Sequence, residues 1–250
     1  METSFGIDIG GSGIKGAIVD LNTGDFVSER IKIATPQPAT PQAVAETVAA
    51  IVQRAGWTGP VGITVPSVVK DQRVLTAANI DKSWIDTNAF ELFRSTLGLN
   101  RRISVLNDAD AAGLAEATFG SPQATAGAVI FLTLGTGIGS AFLLDGKLWP
   151  NTELGHMIVG RHEAEHLASS AAKERDDLSF KKWGARLAKV LHHYEALFTP
   201  TAFIVGGGIS RKYEKWARYV EVSTPIYPAQ LRNRAGIVGA AMAAASDIAP

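Results

Sequence analysis

Two glycine-rich turns, each between runs of apolar residues, hold the residue types that are best suited to binding phosphate. They consist of Gly10, Gly11, Ser12 and Gly13, with Lys15 close behind, and of Gly135, Thr136 and Gly137. Glycine lets backbone N–H groups approach an anion without a Cβ in the way, and the hydroxyl groups add further donors. Either turn alone is also consistent with an ordinary glycine hairpin. The presence of two such turns favours a phosphate site to which both contribute.

The residues that follow each turn indicate which kind of phosphate site this is. The first turn continues into Ala17-Ile18-Val19 and the second into Ala141-Phe142-Leu143, and such residues favour strands over helices. A dinucleotide fingerprint or a Walker loop needs its glycines to begin a helix. The sequence therefore predicts strand, turn and strand at both places, and it excludes nicotinamide-binding and P-loop sites.

Asp8 lies near the end of the apolar run that precedes the first turn. A carboxylate beside bound phosphates makes chemical sense when a divalent cation or its waters face it, because carboxylate oxygens are among the ligands of Mg²⁺. We expect Asp8 to bind Mg²⁺ through water. Capping of the glycine turn by the Asp8 side chain is the alternative.

Composition narrows the classes of partner and of chemistry. The 250 residues carry 24 basic and 24 acidic side chains, so no overall charge attracts nucleic acid or a membrane surface. The absence of cysteine excludes disulfides, thiolate metal sites and cysteine nucleophiles, and it suits a reducing compartment. No apolar run reaches the roughly 18 residues of a membrane span. We expect a cytoplasmic protein with no nucleic-acid or membrane partner.

Alternating strand and helix patterns predict an α/β layer fold. The predicted strands are 5–9, 14–19, 26–33, 61–65, 103–106, a further set from Ala128 onward, and 201–205. The predicted helices are 43–55, 88–97, 109–118, 178–198 and 236–245. Because the order partly repeats, the chain resembles a duplicated unit. We predict a smaller domain of residues 1–110 plus 236–250 and a larger one of residues 111–235.

Three of these elements carry further expectations. Helix 178–198 has apolar residues at helical spacing, which predicts core positions at Trp183, Leu187, Val190, Leu191, Tyr194 and Leu197. The strand 201–205 runs into a third glycine turn with Gly207 and Gly208, where a nucleotide base and ribose could lie. The small residues of helix 236–245 permit close packing on another helix.

Five segments in a fixed order resemble the signature of the sugar kinase, actin and Hsp70 superfamily. They are the turn after Asp8, the helix start at Asn107-Asp108, the turn at Gly135, the turn at Gly207, and the helix 236–245. Within them, Glu153-Leu-Gly-His156 resembles the sugar-binding Glu-x-Gly-His of the ROK family (repressor, open reading frame, kinase). The short chain and the form of its first turn are most similar to the bacterial polyphosphate glucokinases of that family.

The resemblance implies a fold and an activity. The fold is the actin-like ATPase (ribonuclease H-like) α/β fold, with two α/β domains and a cleft between them. The activity is transfer of a phosphoryl group from polyphosphate, ATP or both to the 6-hydroxyl of glucose or a related hexose such as mannose, with Mg²⁺. The resemblance also implies a homodimer. A non-catalytic sugar-sensing regulator and an actin- or Hsp70-like ATPase without sugar chemistry are the alternatives.

Sugar phosphorylation requires a base at the attacking hydroxyl, which we assign to Asp108 because it follows a strand and begins a helix. Helix capping is the alternative role for Asp108, and Asp110, which we expect to cap the helix or face solvent, is the local rival. Carboxylate, amide and imidazole groups match the donors and acceptors of vicinal hydroxyls. The candidate sugar ligands are Asn79, Asn107, Asp108, Glu153, His156 and Glu165.

The chain departs from the wider ROK pattern in two places. The zinc-binding cysteines that usually follow Glu-x-Gly-His are absent, so we expect no zinc site, although His156, Glu163, Glu165 and His166 could in principle form one. A lysine that usually stands at position 13 is replaced by glycine, and Lys15 is the nearest cation. A polyphosphate chain must then be held by a local set of cations, for which the candidates are Lys15, Lys181, Lys182, Arg186, Arg211 and Lys212.

Overall fold

The computed structural model describes residues 2–78 and 80–246, and these form two compact units. The first unit takes the chain through Ala115 and again from Arg234 onward. The second unit runs from Glu116 to Asn233. Asn79, one of the predicted sugar ligands, lies outside the described residues.

The first unit is built on a mixed sheet. Its strands are β1 Thr3–Gly10, β2 Gly13–Asp20, β3 Ile31–Ile33, β4 Val61–Val65, β5 Val69–Lys70, β6 Arg73–Val74 and β7 Ile103–Asn107. Its helices are α1 Pro41–Arg54 and α2 Ala89–Leu97, and α3 Asp108–Phe119 begins there. The sheet order is β3-β2-β1-β4-β7, with antiparallel pairing from β3 to β1 and parallel pairing from β1 through β4 to β7. The small strands β5 and β6 form a separate hairpin.

Local sequence explains where α1 begins and what it buries. The Thr40 hydroxyl accepts a hydrogen bond from the Ala43 N–H, and Pro41 occupies the first turn, where its missing N–H costs nothing. Val44, Val48 and Ile51 lie on one face of the helix and are fully buried. This face packs into the same apolar cluster as β1 and β4, so the helix covers the first sheet.

The strand predicted at 26–33 is wrong over most of its length. Only Ile31–Ile33 forms a strand, and Phe26 makes an isolated bridge to Val19. The intervening segment bends because the Ser28 hydroxyl accepts the hydrogen bond from the Ile18 N–H, at 3.0 Å. A neighbouring strand would otherwise have bonded that N–H group.

The second unit repeats the sheet of the first. Its strands are β8 Ala128–Leu134, β9 Ile138–Leu144, β10 Lys147–Trp149, β11 Ile158–Val159, β12 His162–Glu163, β13 Ala202–Gly206 and β14 Ile226–Pro228. Its helices are α4 Ala164–Ala168, α5 Ser170–Arg175, α6 Phe180–Phe198 and α7 Tyr213–Trp216. The order β10-β9-β8-β13-β14 has the same sequence of two antiparallel and two parallel pairings. The predicted duplication is therefore confirmed.

Helix α6 supplies one wall of the second core. Trp183, Leu187, Val190, Leu191 and Tyr194 are all fully buried, as their spacing predicts. Leu197 is 63% exposed, so its predicted core position is wrong. The helix ends at Phe198, and its last turn extends past the cluster that the earlier residues fill. Across the described ranges, no helix has the length and apolar content that a membrane span requires.

The helix α8 Ala235–Ser246 returns to the first unit and packs there without intervening side chains. A Cβ on Gly6 would collide with the Ile237 carbonyl oxygen, and one on Gly62 would collide with that of Ala240. Gly6 lies in β1 and Gly62 in β4, so these contacts join the helix to the centre of the sheet. Gly239 makes the same kind of contact with the backbone of α3. The small residues thus serve contacts with both a sheet and a helix.

The Gly62 contact predicts a large effect of a single methyl group. Gly62→Ala should lower the melting temperature, because overpacking a tight core costs about 1–3 kcal/mol and each kcal/mol lowers Tm by about 2–4 °C in a chain of this size. Gly11→Ala is the matched control, because nothing lies within 4 Å of the position of a Cβ there. Thermal unfolding followed by circular dichroism measures both. Equal melting temperatures for the two variants would contradict the packing account.

Candidate functional site

The polar residues of the first unit gather where its parallel strands end. In the register of the sheet, Asp8 of β1 lies opposite Thr64 of β4, and Val65 lies opposite Asn107 of β7. Asp108 follows directly as the first residue of α3. Because parallel strands bring their carboxyl ends to one edge, Asp8, Thr64, Asn107 and Asp108 lie along the edge at which open α/β sheets bind ligands.

Asp8 is held by side chains at this edge. Its Oδ2 lies 3.1 Å from Lys15 Nζ, and the Thr64 hydroxyl donates to its Oδ1 at 3.4 Å. The beginning of α8 lies close by, because a Cβ on Gly236 would stand 3.3 Å from Asp8 Oδ1. Neither hydrogen bond reaches the backbone of the glycine turn, so turn capping does not account for Asp8.

The first glycine turn has an exposed tip, and two lysines lie near the glycines at its base. Gly10 pairs with Gly13, and the exposed Gly11 and Ser12 form the tip. The stem of Lys32 lies against Gly13, since a Cβ there would approach Lys32 Cε to 2.6 Å. Lys32 is opposite Lys15 in the pairing of β2 with β3. Sequence reasoning missed Lys32, because this register cannot be read from the chain.

Asn107, rather than Asp108, is the main cap of α3. The Asn107 Oδ1 accepts from the N–H groups of Ala109 and Asp110, at 2.8 and 3.1 Å, while its Nδ2 donates to the Ser67 carbonyl at 3.1 Å. Asp108 is partly exposed, and its Oδ1 accepts from the Ala109 N–H at 2.9 Å. Asp110 is fully buried, which corrects the expectation that it faces solvent. The first turn points it into the interior.

In the second unit, the second and third glycine turns lie side by side. The strands β8 and β13 are parallel and end at Leu134 and Gly206, just before the two turns. Gly207 has φ of +82° and lies so close to Leu134 that a Cβ would stand 2.5 Å from its carbonyl oxygen. Glycine is required there for both reasons. Gly135, Thr136, Gly207 and Gly208 are exposed, so their backbone groups can meet an anion.

The Glu153-Leu-Gly-His156 segment forms a short 3-10 turn fixed to β9 and α6. The Ser140 hydroxyl accepts from the Leu154 N–H at 3.0 Å, and the Tyr194 hydroxyl donates to the Leu154 carbonyl at 2.8 Å. Gly155 lies directly against the Ile138 carbonyl oxygen, where a Cβ would collide. The glycine of this motif is thus a packing requirement, and it leaves the side chains of Glu153 and His156 beside each other.

Four side chains form a carboxylate–imidazole cluster in the second unit. His156 Nδ1 lies 3.0 Å from Glu163 Oε2, and its Nε2 lies 3.8 Å from Glu153 Oε2, which is beyond hydrogen-bond distance. Glu165 accepts from the Ile138 N–H at 3.3 Å through Oε2. The hairpin of β11 and β12 carries Glu163 to His156, and sequence reasoning had named Glu163 only as a possible metal ligand.

Hydrogen bonds and burial shift the pKa values of the cluster. The hydrogen bond to Glu163 raises the pKa of His156 above its usual value, and the same bond lowers the pKa of Glu163. Burial raises the pKa of Glu153, with repulsion from Glu165 adding to it and the attraction of His156 opposing it. Because an ionised Glu163 can only accept, His156 carries a proton on Nδ1 and directs Nε2 toward Glu153.

The same residues could also bind a metal ion. His156, Glu163 and Glu165 each offer one ligand atom, and these atoms lie within 4.8 Å of one another. In the observed arrangement His156 Nδ1 is already hydrogen-bonded to Glu163. The expectation that this loop holds no zinc stays a prediction.

Comparisons with known proteins agree with this arrangement. A model of the ROK family matches residues 4–168. A polyphosphate glucokinase of Mycobacterium tuberculosis (strain CDC 1551 / Oshkosh) is 54% identical over 243 residues, covering 97% of this chain and 91% of the relative.

Two solved structures match over nearly the whole chain. One is an inorganic polyphosphate/ATP-glucomannokinase from Arthrobacter sp. strain KM, with TM-score 0.93 and 49% identity over 99% of this chain and 100% of that one. The other is a ROK family glucokinase from Streptomyces griseus in complex with glucose and AMPPNP. It has TM-score 0.82 and 28% identity over 98% of this chain and 100% of that one. These similarities confirm the predicted fold, which is the actin-like ATPase fold.

The hydrogen bond between His156 and Glu163 predicts a titration shift. Glu163→Gln should lower the pKa of His156, because it removes the carboxylate whose hydrogen bond is the main cause of the raised value. A pH titration followed by nuclear magnetic resonance of the imidazole measures this, with His192 and His193 of α6 as internal references. An unchanged or higher pKa for His156 in the variant would show that Glu163 does not hold the ring.

Proposed function

The chain belongs to the ROK family, and from this premise we propose that it transfers a phosphoryl group from polyphosphate or ATP to the 6-hydroxyl of glucose. The similarity to a polyphosphate glucokinase and to a polyphosphate/ATP-glucomannokinase supports this donor and acceptor pair. The name of the second relative supports mannose as a further acceptor. We also infer a cytoplasmic location, which the composition predicts, and a homodimer, which the family resemblance implies.

The observation that carries the proposal is the division of roles at the start of α3. Asn107 accepts two hydrogen bonds from the first turn of the helix, and the Ala109 N–H that donates to Asp108 also donates to Asn107, so the cap does not depend on the Asp108 carboxylate. In the proposed reaction the Asp108 carboxylate accepts the proton of the sugar hydroxyl as its oxygen attacks the terminal phosphorus. The bond from that phosphorus to the rest of the donor then breaks.

The cluster in the second unit is proposed to bind sugar hydroxyls. The Nε2 atom of His156 and the partly buried carboxylate of Glu153 stand side by side, so they can together receive a vicinal hydroxyl pair. Glu163 contributes by holding the imidazole. Glu165 is bonded to the Ile138 N–H, which positions one of its oxygens. Asn107 uses its amide for hydrogen bonds to the backbone, so we assign it a smaller share of sugar binding.

The three glycine turns are proposed to bind the phosphates of the donor. Exposed backbone N–H groups without neighbouring side chains suit this task, and Lys15 and Lys32 add positive charge at the first turn. Asp8 and Thr64 offer oxygen atoms at the adjacent strand ends, which fits binding of Mg²⁺ through its waters. When bound, Mg²⁺ supplies positive charge that balances the charge of the donor phosphates.

A single assay tests the proposed function against its alternatives. Glucose is incubated with the protein and Mg²⁺, with ATP or with long-chain polyphosphate, and glucose 6-phosphate is measured. We expect product with polyphosphate, with ATP, or with both. A sugar-sensing regulator would bind glucose and give no product, and an ATPase without sugar chemistry would release ADP whether or not glucose is present.

The assignment of Asp108 predicts a specific loss of turnover. Asp108→Asn should lower kcat by about 10²–10⁴-fold, because the amide keeps the size of the side chain and cannot accept the proton. The melting temperature and the glucose affinity should stay near their original values, since Asn107 retains its capping bonds. Asp86→Asn, at an exposed position in the same unit, is the control and should keep full activity. Near-normal kcat in Asp108→Asn would remove the base assignment.

The assignment of the sugar ligands predicts a change in glucose KM. Glu153→Gln and His156→Ala should each raise it, because a buried hydroxyl left without its partner costs about 1–3 kcal/mol, or about 5- to 150-fold. The KM for the phosphoryl donor should change little. His193→Ala, an exposed histidine of α6, is the control. If both cluster variants keep the original glucose KM, Glu153 and His156 do not bind the sugar.

A further inference from the structure

A groove in the second unit has four positively charged side chains among the ten residues that line it. Its walls are the segment Ser210–Lys215 and the segment Pro228–Gln230 with Arg232. We call it the basic groove. Arg211, Lys212, Lys215 and Arg232 contribute four cations, whereas Glu214 is its one carboxylate. Because the whole chain has equal numbers of acidic and basic residues, this is a local excess of positive charge.

The charges of the four cations in the basic groove are not neutralised by ion pairs within the described part of the chain. Within residues 2–78 and 80–246, none of them takes part in an ion pair. A second basic pocket of the same unit is different, because Arg175 and Arg186 both pair with Asp176, at 2.9 and 2.5 Å. The hydrogen bond from Arg175, which has the larger effect, and the hydrogen bond from Arg186 lower the pKa of Asp176 to about 2. Two of the three lysine and arginine side chains that line that pocket are thus paired with a carboxylate, whereas none of the four in the basic groove is paired within the described residues.

The wall of the basic groove is held by a buried carboxylate. Glu116 is fully buried, and it accepts from the N–H groups of Gln230 and Leu231, at 3.2 and 2.6 Å, and from that of Ser121 at 3.1 Å. The opposite wall is fixed by the Tyr213 hydroxyl, which donates to the Ile226 carbonyl at 2.7 Å. The groove is therefore part of the folded unit rather than a chance approach of loops.

The basic groove begins where the third glycine turn ends. Ser210 is two residues after Gly208 in the chain, and Gly207 lies against Leu134, next to the second glycine turn. Three of the four cations of the groove therefore follow closely, along the chain, on a turn that is suited to binding phosphate. A cluster of cations attracts a ligand with repeated negative charge, and salt weakens its affinity.

We propose that the basic groove binds the distal part of long-chain polyphosphate, beyond the phosphates that the glycine turns hold. The proposal rests on the proposed function. ATP ends its phosphate chain with three groups and continues as a nucleoside, so it has no further phosphates to place there. The groove would accordingly set the preference for long polyphosphate over short phosphate donors. Of the candidate cations in the sequence, it selects Arg211 and Lys212 and adds Lys215 and Arg232.

The test compares two variants that each lose two exposed cations. Arg211→Gln with Lys215→Gln removes half of the charge of the groove, and Arg54→Gln with Lys147→Gln removes equal charge elsewhere. The KM values for long-chain polyphosphate, tripolyphosphate and ATP are measured with saturating glucose and matched Mg²⁺. Melting temperatures verify that both variants fold.

We expect the groove variant to raise the KM for long-chain polyphosphate by about 2- to 30-fold, the combined effect of two exposed charges. The KM values for tripolyphosphate and ATP should stay unchanged, and the salt dependence of the long-chain KM should become shallower. The control variant should match the original protein. An unchanged long-chain KM would overturn the proposal, and an equal rise for ATP would assign the groove to the nucleotide instead.

A direct binding measurement separates this proposal from the proposed function. Long-chain polyphosphate is titrated into the original protein and into the groove variant by isothermal calorimetry, without glucose. Weaker binding to the variant supports the groove even if no donor yields glucose 6-phosphate, an outcome that would refute the proposed function alone. Equal binding to both proteins would refute the groove while leaving the kinase reaction intact.

Discussion

The backbone contact between α8 and the first sheet is the constraint on which the first half of the site depends. Gly6 and Gly62 let the helix rest directly on β1 and β4, and Gly239 lets it approach α3 in the same way. This position of the helix places Gly236 next to Asp8, near the end of β1. The strands that α8 covers are the same strands whose ends carry Asp8, Thr64 and Asn107. The glycine contacts that hold α8 on the sheet therefore also determine where the polar strand ends lie.

The second unit also positions its polar side chains through a glycine contact, and it adds hydrogen bonds from other side chains. Gly155 lets the turn of Glu153 and His156 press against β9, and Tyr194 fixes the same turn from α6. The imidazole is then held by Glu163, which the hairpin of β11 and β12 supplies. In a chain without cysteine, a carboxylate on a short hairpin orients the histidine through a hydrogen bond. The pKa of His156 rises as a direct result of that bond.

Local patterns in the sequence predicted most of the elements and the order of the polar segments. The periodicity of α6 identified Trp183 and Tyr194 as core residues, because helical spacing places them on one face. The same periodicity was wrong for Leu197, since it does not tell where the neighbouring core ends. The strand at 26–33 was overextended because a hydroxyl group, that of Ser28, replaces backbone pairing.

The contacts that the sequence could not supply are those between distant segments. Lys32 reaches the first glycine turn through the register of β2 and β3, and Glu163 reaches His156 through the turn of a two-strand hairpin. Both depend on pairing that carries no local signal. The role of Asn107 as the cap of α3 was likewise hidden, because Asp108 is an equally good cap by residue type. Only the hydrogen bonds in the structure show that Asn107, rather than Asp108, is the main cap.

In the proposed reaction, the carboxylate of Asp108 stands at the hydroxyl that reacts. The most direct measurement is a crystal structure of the original protein with glucose and Mg²⁺, without a phosphoryl donor. We expect the oxygen of the 6-hydroxyl within about 2.6–3.2 Å of an Asp108 carboxylate oxygen, the distance that proton transfer requires. A bound glucose whose 6-hydroxyl lies away from Asp108 and contacts another base would contradict the account.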